Sequence, residues 1–65
     1  MGTITISNEA ASLIAVIMPD GSPHDIMPGA SFSFESDEPV TVIIRRADGT
    51  EAEMSLDPGN TYNLR

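Results

Sequence analysis

The chain has 65 residues, with ten acids, three bases, no lysine and no cysteine, for a net charge of −7. That length allows a single domain, residues 1–65, with an expected folded surface of ~4,000 Å² and only about 60% of the unfolded surface buried. The charge disfavours nucleic acid and anionic lipid as direct partners, and the missing thiols exclude disulfides and thiolate metal sites.

Residues 3–7, TITIS, alternate with period two and predict a strand with Ile4 and Ile6 facing inward. Residues 8–18 fit two patterns. Read as a helix capped by Ser7 or Asn8, they align Ala10, Leu13, Ile14, Ile17 and Met18 on one stripe, and Pro19 stops it. Read as a strand, they send Ile14, Val16 and Met18 to one side and Leu13, Ala15 and Ile17 to the other, as in a central strand that is apolar on both faces. The strand is favoured, because the segment aligns with residues 40–46, whose β-branched run suits a strand. Turns follow at Asp20-Gly21 and Pro28-Gly29, where proline presets the bend and glycine supplies positive φ. Residues 31–34, SFSF, place Phe32 and Phe34 inward. Residues 40–44 form the next strand, with Val42 and Ile44 inward. Asp48-Gly49 leads into EAEMSL at 51–56, with Met54 and Leu56 inward and Glu51 and Glu53 outward. After Pro58-Gly59, residues 61–64 turn Tyr62 and Leu64 inward.

The chain echoes itself. PGASFSF at 28–34 and PGNTYNL at 58–64 share the order Pro-Gly, any residue, small hydroxyl, aromatic, polar, apolar. Ahead of each stands an Asp-Gly marker, in MPDGS at 18–22 and RADGT at 46–50. These marks predict pseudo-repeats over about residues 3–34 and 31–64. The expected fold is therefore all-β: a small antiparallel sandwich or partly open barrel of six to seven strands with an approximate internal two-fold repeat.

Catalytic chemistry has little to work with. Ser22, His24 and Asp25 are expected as neighbours in one loop, whereas catalytic triads are assembled from separated elements held by a scaffold. Asp20, His24 and Asp25 match no zinc spacing, and the Asp-Gly pairs lack the further oxygen ligands of a calcium loop. The expectation is a chain with no catalytic residues, no metal and no cofactor. No basic region followed by an apolar stretch opens the sequence, and the longest apolar run, residues 13–18, is far short of a membrane span. A cytoplasmic protein without membrane contact is expected.

Three sets of residues remain as candidates. Residues 35–65 hold seven of the ten acids. Glu35, Asp37 and Glu38 lie in one turn and Glu51 and Glu53 on one strand face, where carboxylates sit ~6–7 Å apart, near the phosphate spacing along a DNA strand. That pattern points to an acidic face that occupies a basic surface on a partner protein, in the manner of the small acidic inhibitors and nucleic-acid mimics of phages and mobile elements. Leu13, Ala15 and Ile17, joined by Ile43, form an apolar face that a short chain has little material to cover, so self-association into a homo-oligomer is expected there. Arg45, Arg46 and His24 are candidates for anion binding, the basis of an alternative in which an oligomer sequesters a small ligand or nucleotide. Adjacent strand residues face opposite sides, so one of Arg45 and Arg46 points outward, where Glu51 or Glu53 is within reach across the Asp48-Gly49 turn. A third alternative is a structural part of a larger assembly, joined through unpaired strand edges.

Overall fold

A computed structural model describes residues 2–65 as seven strands and no helix. The strands are β1 (Gly2–Asn8), β2 (Ile14–Ile17), β3 (Pro23–Ile26), β4 (Ser31–Ser36), β5 (Val40–Arg46), β6 (Glu51–Leu56) and β7 (Thr61–Leu64). They form a three-stranded sheet of order β4-β1-β7 and a four-stranded sheet of order β3-β2-β5-β6. The sheets pack face to face in a body whose shortest extent is 15 Å, and they do not close into a barrel. Among the described residues no helix is long and apolar enough to cross a membrane.

The period-two pattern explains the core. Ile4 and Ile6 of β1 and Leu64 of β7 point from one sheet, and Ile14, Val16, Ile26, Val42, Ile44 and Leu56 from the other. Ile4, Ile6, Val16 and Leu56 have no exposed surface. Phe32, Phe34, Met54 and Tyr62, expected inside, are half-buried against this cluster because β4, β6 and β7 are edge strands. His24 and Asp25, expected in a loop, lie in β3, because residues 23–26 pair with β2 after the Asp20-Gly21 turn; Ile26 is a core residue there that the alternation did not single out, since Pro23, His24 and Asp25 surround it.

Residues 14–17 are a strand, not a helix. Asn8 makes a bond of the kind that caps helices, its Oδ1 accepting from the Ala10 N–H at 2.9 Å, but the chain bends through residues 10–12 and enters β2. Its Nδ2 donates to the carbonyls of Ser12 (2.9 Å) and Ile26 (2.8 Å). Asn8 is fully buried, and these bonds tie the end of β1 to the crossing loop and to the end of β3.

The expectation of an antiparallel sandwich needs one correction. β1 pairs antiparallel with β4 but parallel with β7. In the β1–β4 pair Thr5 stands opposite Ser33, and in the β2–β5 pair Val16 stands opposite Ile44, each partner 28 positions along. β7 lies on the other edge of β1, in the register Thr5 with Thr61 and Ile6 with Tyr62. The chain reaches β7 from β6 by crossing between the sheets, so no hairpin obliges it to run against its neighbour. The Asp-Gly hairpins repeat the offset of the facing pairs in their hydrogen bonds. Met18 N–H donates to Ser22 O and Gly21 N–H to Met18 O; Arg46 N–H donates to Thr50 O and Gly49 N–H to Arg46 O. Gly21 and Gly49 have φ of 92° and 91°, which is why glycine stands at both.

In each hairpin the aspartate accepts from the residue two places on. Asp20 Oδ1 accepts from Ser22 N–H at 2.9 Å, and Asp48 Oδ1 accepts from both the N–H and hydroxyl of Thr50, at 2.9 and 2.6 Å. For Asp20 the Ser22 backbone N–H, then its hydroxyl, holds the carboxyl below its ordinary 3.8; for Asp48 it is the Thr50 hydroxyl, then its N–H. Both groups are exposed, so the contribution is small, and its sign is fixed. Folded values below the unfolded one mean the stabilisation is present above about pH 4 and is lost as pH falls through the lowered folded values. Carboxyl chemical shifts followed by NMR between pH 5 and 2 (about one unit either side of the ordinary value) should show these two titrating below the ordinary aspartate value of 3.8. Midpoints at that ordinary value would contradict the turn geometry.

Candidate functional site

The outer faces of the two sheets differ in chemistry. On the three-stranded sheet the outward residues of β1 and β4 are hydroxyl-bearing apart from one acid: Thr3, Thr5 and Ser7 on β1, and Ser31, Ser33 and Glu35 on β4. On the four-stranded sheet, cross-strand register builds two rows. One runs Asp25, Ala15, Arg45, Glu51, and the next runs Pro23, Ile17, Ile43, Glu53. Leu13 continues this side just before β2 and lines a shallow depression with Ala15, Asp25 and Arg45. Leu13 is 38% exposed and Ile43 37%, both large for aliphatic side chains.

The residues expected at an apolar interface, Leu13, Ala15, Ile17 and Ile43, thus lie together. Their neighbours were not foreseen. Register places Glu53 directly opposite Ile43 and Asp25 opposite Ala15, so the apolar strip and acids share one face. Period-two logic puts Ile17 and Glu53 on outer faces, but only the pairing of β2 with β5 and β5 with β6 brings them within two strands of each other.

The five acids expected to form one acidic face are divided. Glu51 and Glu53 lie on the outer face of β6, whereas Glu35 lies on the outer face of β4, in the opposite sheet. Asp37 and Glu38 sit in the β4–β5 connection, where the Ser36 hydroxyl donates to Glu38 O at 2.6 Å. Glu51 is occupied: Arg45 Nε donates to its Oε2 at 2.6 Å, the pairing expected across the Asp48-Gly49 turn. Both side chains are about half exposed, so the pair contributes at most about 1 kcal/mol. It removes one acid from the face and leaves Glu53 and Asp25 without an ion-pair partner among the described residues.

The three candidate anion-binding residues do not converge. Arg45 is outward and engaged by Glu51. Arg46 points to the other side of β5, half-buried, between a depression lined by Ile44, Thr50 and Met54 and another lined by Ala10, Leu13 and Asp48. His24 stands on the inner side of β3, its ring stacked on Phe32 of the other sheet at 4.5 Å between centroids. Among the described residues no group of three or more His, Asp and Glu is placed to hold a metal ion. Arg65 reaches Glu9 at 3.8 Å, a long contact between exposed side chains.

The arrangement offers a surface on which Leu13, Ile17 and Ile43 adjoin the Arg45–Glu51 ion pair, with Asp25 at one margin and Glu53 at the other. Comparison with protein-family models, with curated proteins and with solved structures finds no match.

Proposed function

We propose that this chain is a non-enzymatic protein-binding module that docks a basic partner through the outer face of its four-stranded sheet. The observation that carries this reading is the juxtaposition on that face of Leu13, Ile17 and Ile43 with the carboxylates of Glu53 and Asp25, which have no ion-pair partner among the described residues. Apolar side chains at the centre supply burial, while charges at the margin steer approach and set orientation. A second copy is a poor occupant for this face, because it would bring Glu53 and Asp25 against an equally acidic surface on a chain of net charge −7. A partner with apolar residues ringed by Lys or Arg fits both features. Covering such a surface, and so inhibiting whatever else it binds, is the action we assign to the module.

Affinity capture from the host lysate tests the proposal with two folded variants. Ile17→Ser with Ile43→Ser removes the apolar strip, and Asp25→Asn with Glu53→Gln removes the acids; Asp25, Ile43 and Glu53 are exposed and Ile17 is half-buried, and circular dichroism checks that both variants fold. A basic protein retained by the native chain at low salt, released as salt rises and lost from both variants supports the reading. Capture that survives both double substitutions, or no salt-sensitive capture, defeats it.

A further inference from the structure

The three-stranded sheet ends at β4, and that edge differs from the other three. β3 has four residues and begins with Pro23, β7 has four residues, and β6 carries Glu51 and Glu53. β4 is six residues long, has no proline or lysine, and carries its one charge, Glu35, next to its end. Natural sheets blunt exposed edges with such devices, and β4 lacks them. Its Phe32 and Phe34 stay half-exposed, although the residues opposite them, Ile6 and Ile4, are completely buried. The other edge of β1 is covered by β7.

We infer that β4 pairs antiparallel with β4 of a second copy, with Ser33 on the dimer axis, joining two three-stranded sheets into one of six strands. Backbone geometry selects this register. Asn8 N–H donates to Ala30 O, and Gly59 N–H and Asn60 O bond Thr3 O and Thr5 N–H. β1 therefore turns the backbone groups of Ile4, Ile6 and Asn8 toward β4 and those of its odd-numbered residues toward β7. In the β4 ladder, Phe32 and Phe34 then bond β1, and the N–H and C=O of Ser31, Ser33 and Glu35 point away from the sheet. Directly paired residues must share a face, so a Phe of β4 has to oppose a Phe of the second copy. Only the pairing centred on Ser33 satisfies this while joining all three outward-pointing residues: Ser33 with Ser33, and Ser31 with Glu35 in both directions. No acid then opposes an acid directly. The surface used is separate from the proposed partner face, so the two inferences stand independently, and the dimer would carry that face twice.

Sedimentation equilibrium provides the test, with far-UV circular dichroism to check folding. The native chain should dimerise, more tightly at higher salt because both copies are acidic. Ser33→Lys and Ser31→Lys each add one positive charge, so a general charge effect would move both the same way. The register predicts opposite changes. Ser33→Lys sets two like charges opposite each other and weakens the dimer about 2- to 5-fold, whereas Ser31→Lys meets Glu35 of the second copy twice and tightens it about 2- to 20-fold. Ser33→Pro removes an outward N–H while sparing the β1 ladder and should abolish dimerisation. A native chain that remains monomeric to ~1 mM overturns the inference. So do Lys variants that shift together, or a dimer that Ile43→Ser dissociates and Ser33→Pro does not.

Discussion

Asn8→Ala is expected to be the most damaging single polar substitution in the chain. It removes the acceptor for the Ala10 N–H and the donors to Ser12 O and Ile26 O at a position with no exposed surface. A buried group left without a partner costs about 1–3 kcal/mol, and Ser12 and Ala10, nearer the surface, regain water in part, so a net loss of ~2–4 kcal/mol is expected. For a domain of this size that lowers the thermal midpoint by ~10–25 °C. Asn8→Asp separates shape from hydrogen bonding. It keeps the acceptor for Ala10 and replaces the donors by a carboxylate facing two carbonyls. Burial then raises the folded pKa of the introduced acid above its unfolded value. Stability should be greatest in acid and fall as pH rises through the unfolded value near ~4 toward the raised folded one. Thermal melts of both variants between pH 3 and 7 (spanning the ~4 unfolded value) would show this. A loss in Asn8→Ala below about 0.5 kcal/mol would mean that water replaces the network without cost.

Ile26→Ala should be nearly as costly, and Leu13→Ala nearly neutral. Ile26 is 2% exposed, at the end of β3 opposite Ile14, and its carbonyl takes the Asn8 bond. Truncation removes three carbons from a closed core and is expected to cost ~2–5 kcal/mol. Leu13, 38% exposed on the outer face, should lose less than about 1 kcal/mol when cut to alanine. A 65-residue domain has roughly 3–10 kcal/mol to lose, so the first variant approaches global unfolding and the second does not. Denaturant titrations read by circular dichroism separate the two. Equal losses would mean that the four-stranded sheet buries its other face. The contrast also bears on the partner face: a Leu13 that is dispensable for folding is free for binding.

Much of the local structure was legible in the sequence. Alternation over residues 3–7, 31–34, 51–56 and 61–64 reported strand and inward face together, because a pleated strand bordering one core must alternate. The Asp-Gly and Pro-Gly pairs marked every turn at which glycine takes a positive φ, since few other residues reach that backbone region. Residues 14–17 were ambiguous on their own, because a short apolar run satisfies both periods. Comparison with residues 40–46 favoured the strand found.

What the tertiary structure decided was neighbourhood. Local pattern says which side of a strand a residue occupies, but not which strand lies beside it. Hence one imagined acidic face became two, with Glu35 on one sheet and Glu51 and Glu53 on the other, and Glu53 came to stand beside Ile43. The direction of β7 was likewise set by the crossing from β6 in one sheet to the edge of β1 in the other rather than by anything in residues 61–64. Asn8 could be read as a cap from its type alone, yet its role depends on Ile26, 18 residues away, whose carbonyl is placed there only when β2 and β3 pair. Side-chain chemistry and periodicity are properties of the chain. Register, strand order and the partners of buried polar groups are properties of the assembled sheets, because they depend on contacts between segments far apart in sequence.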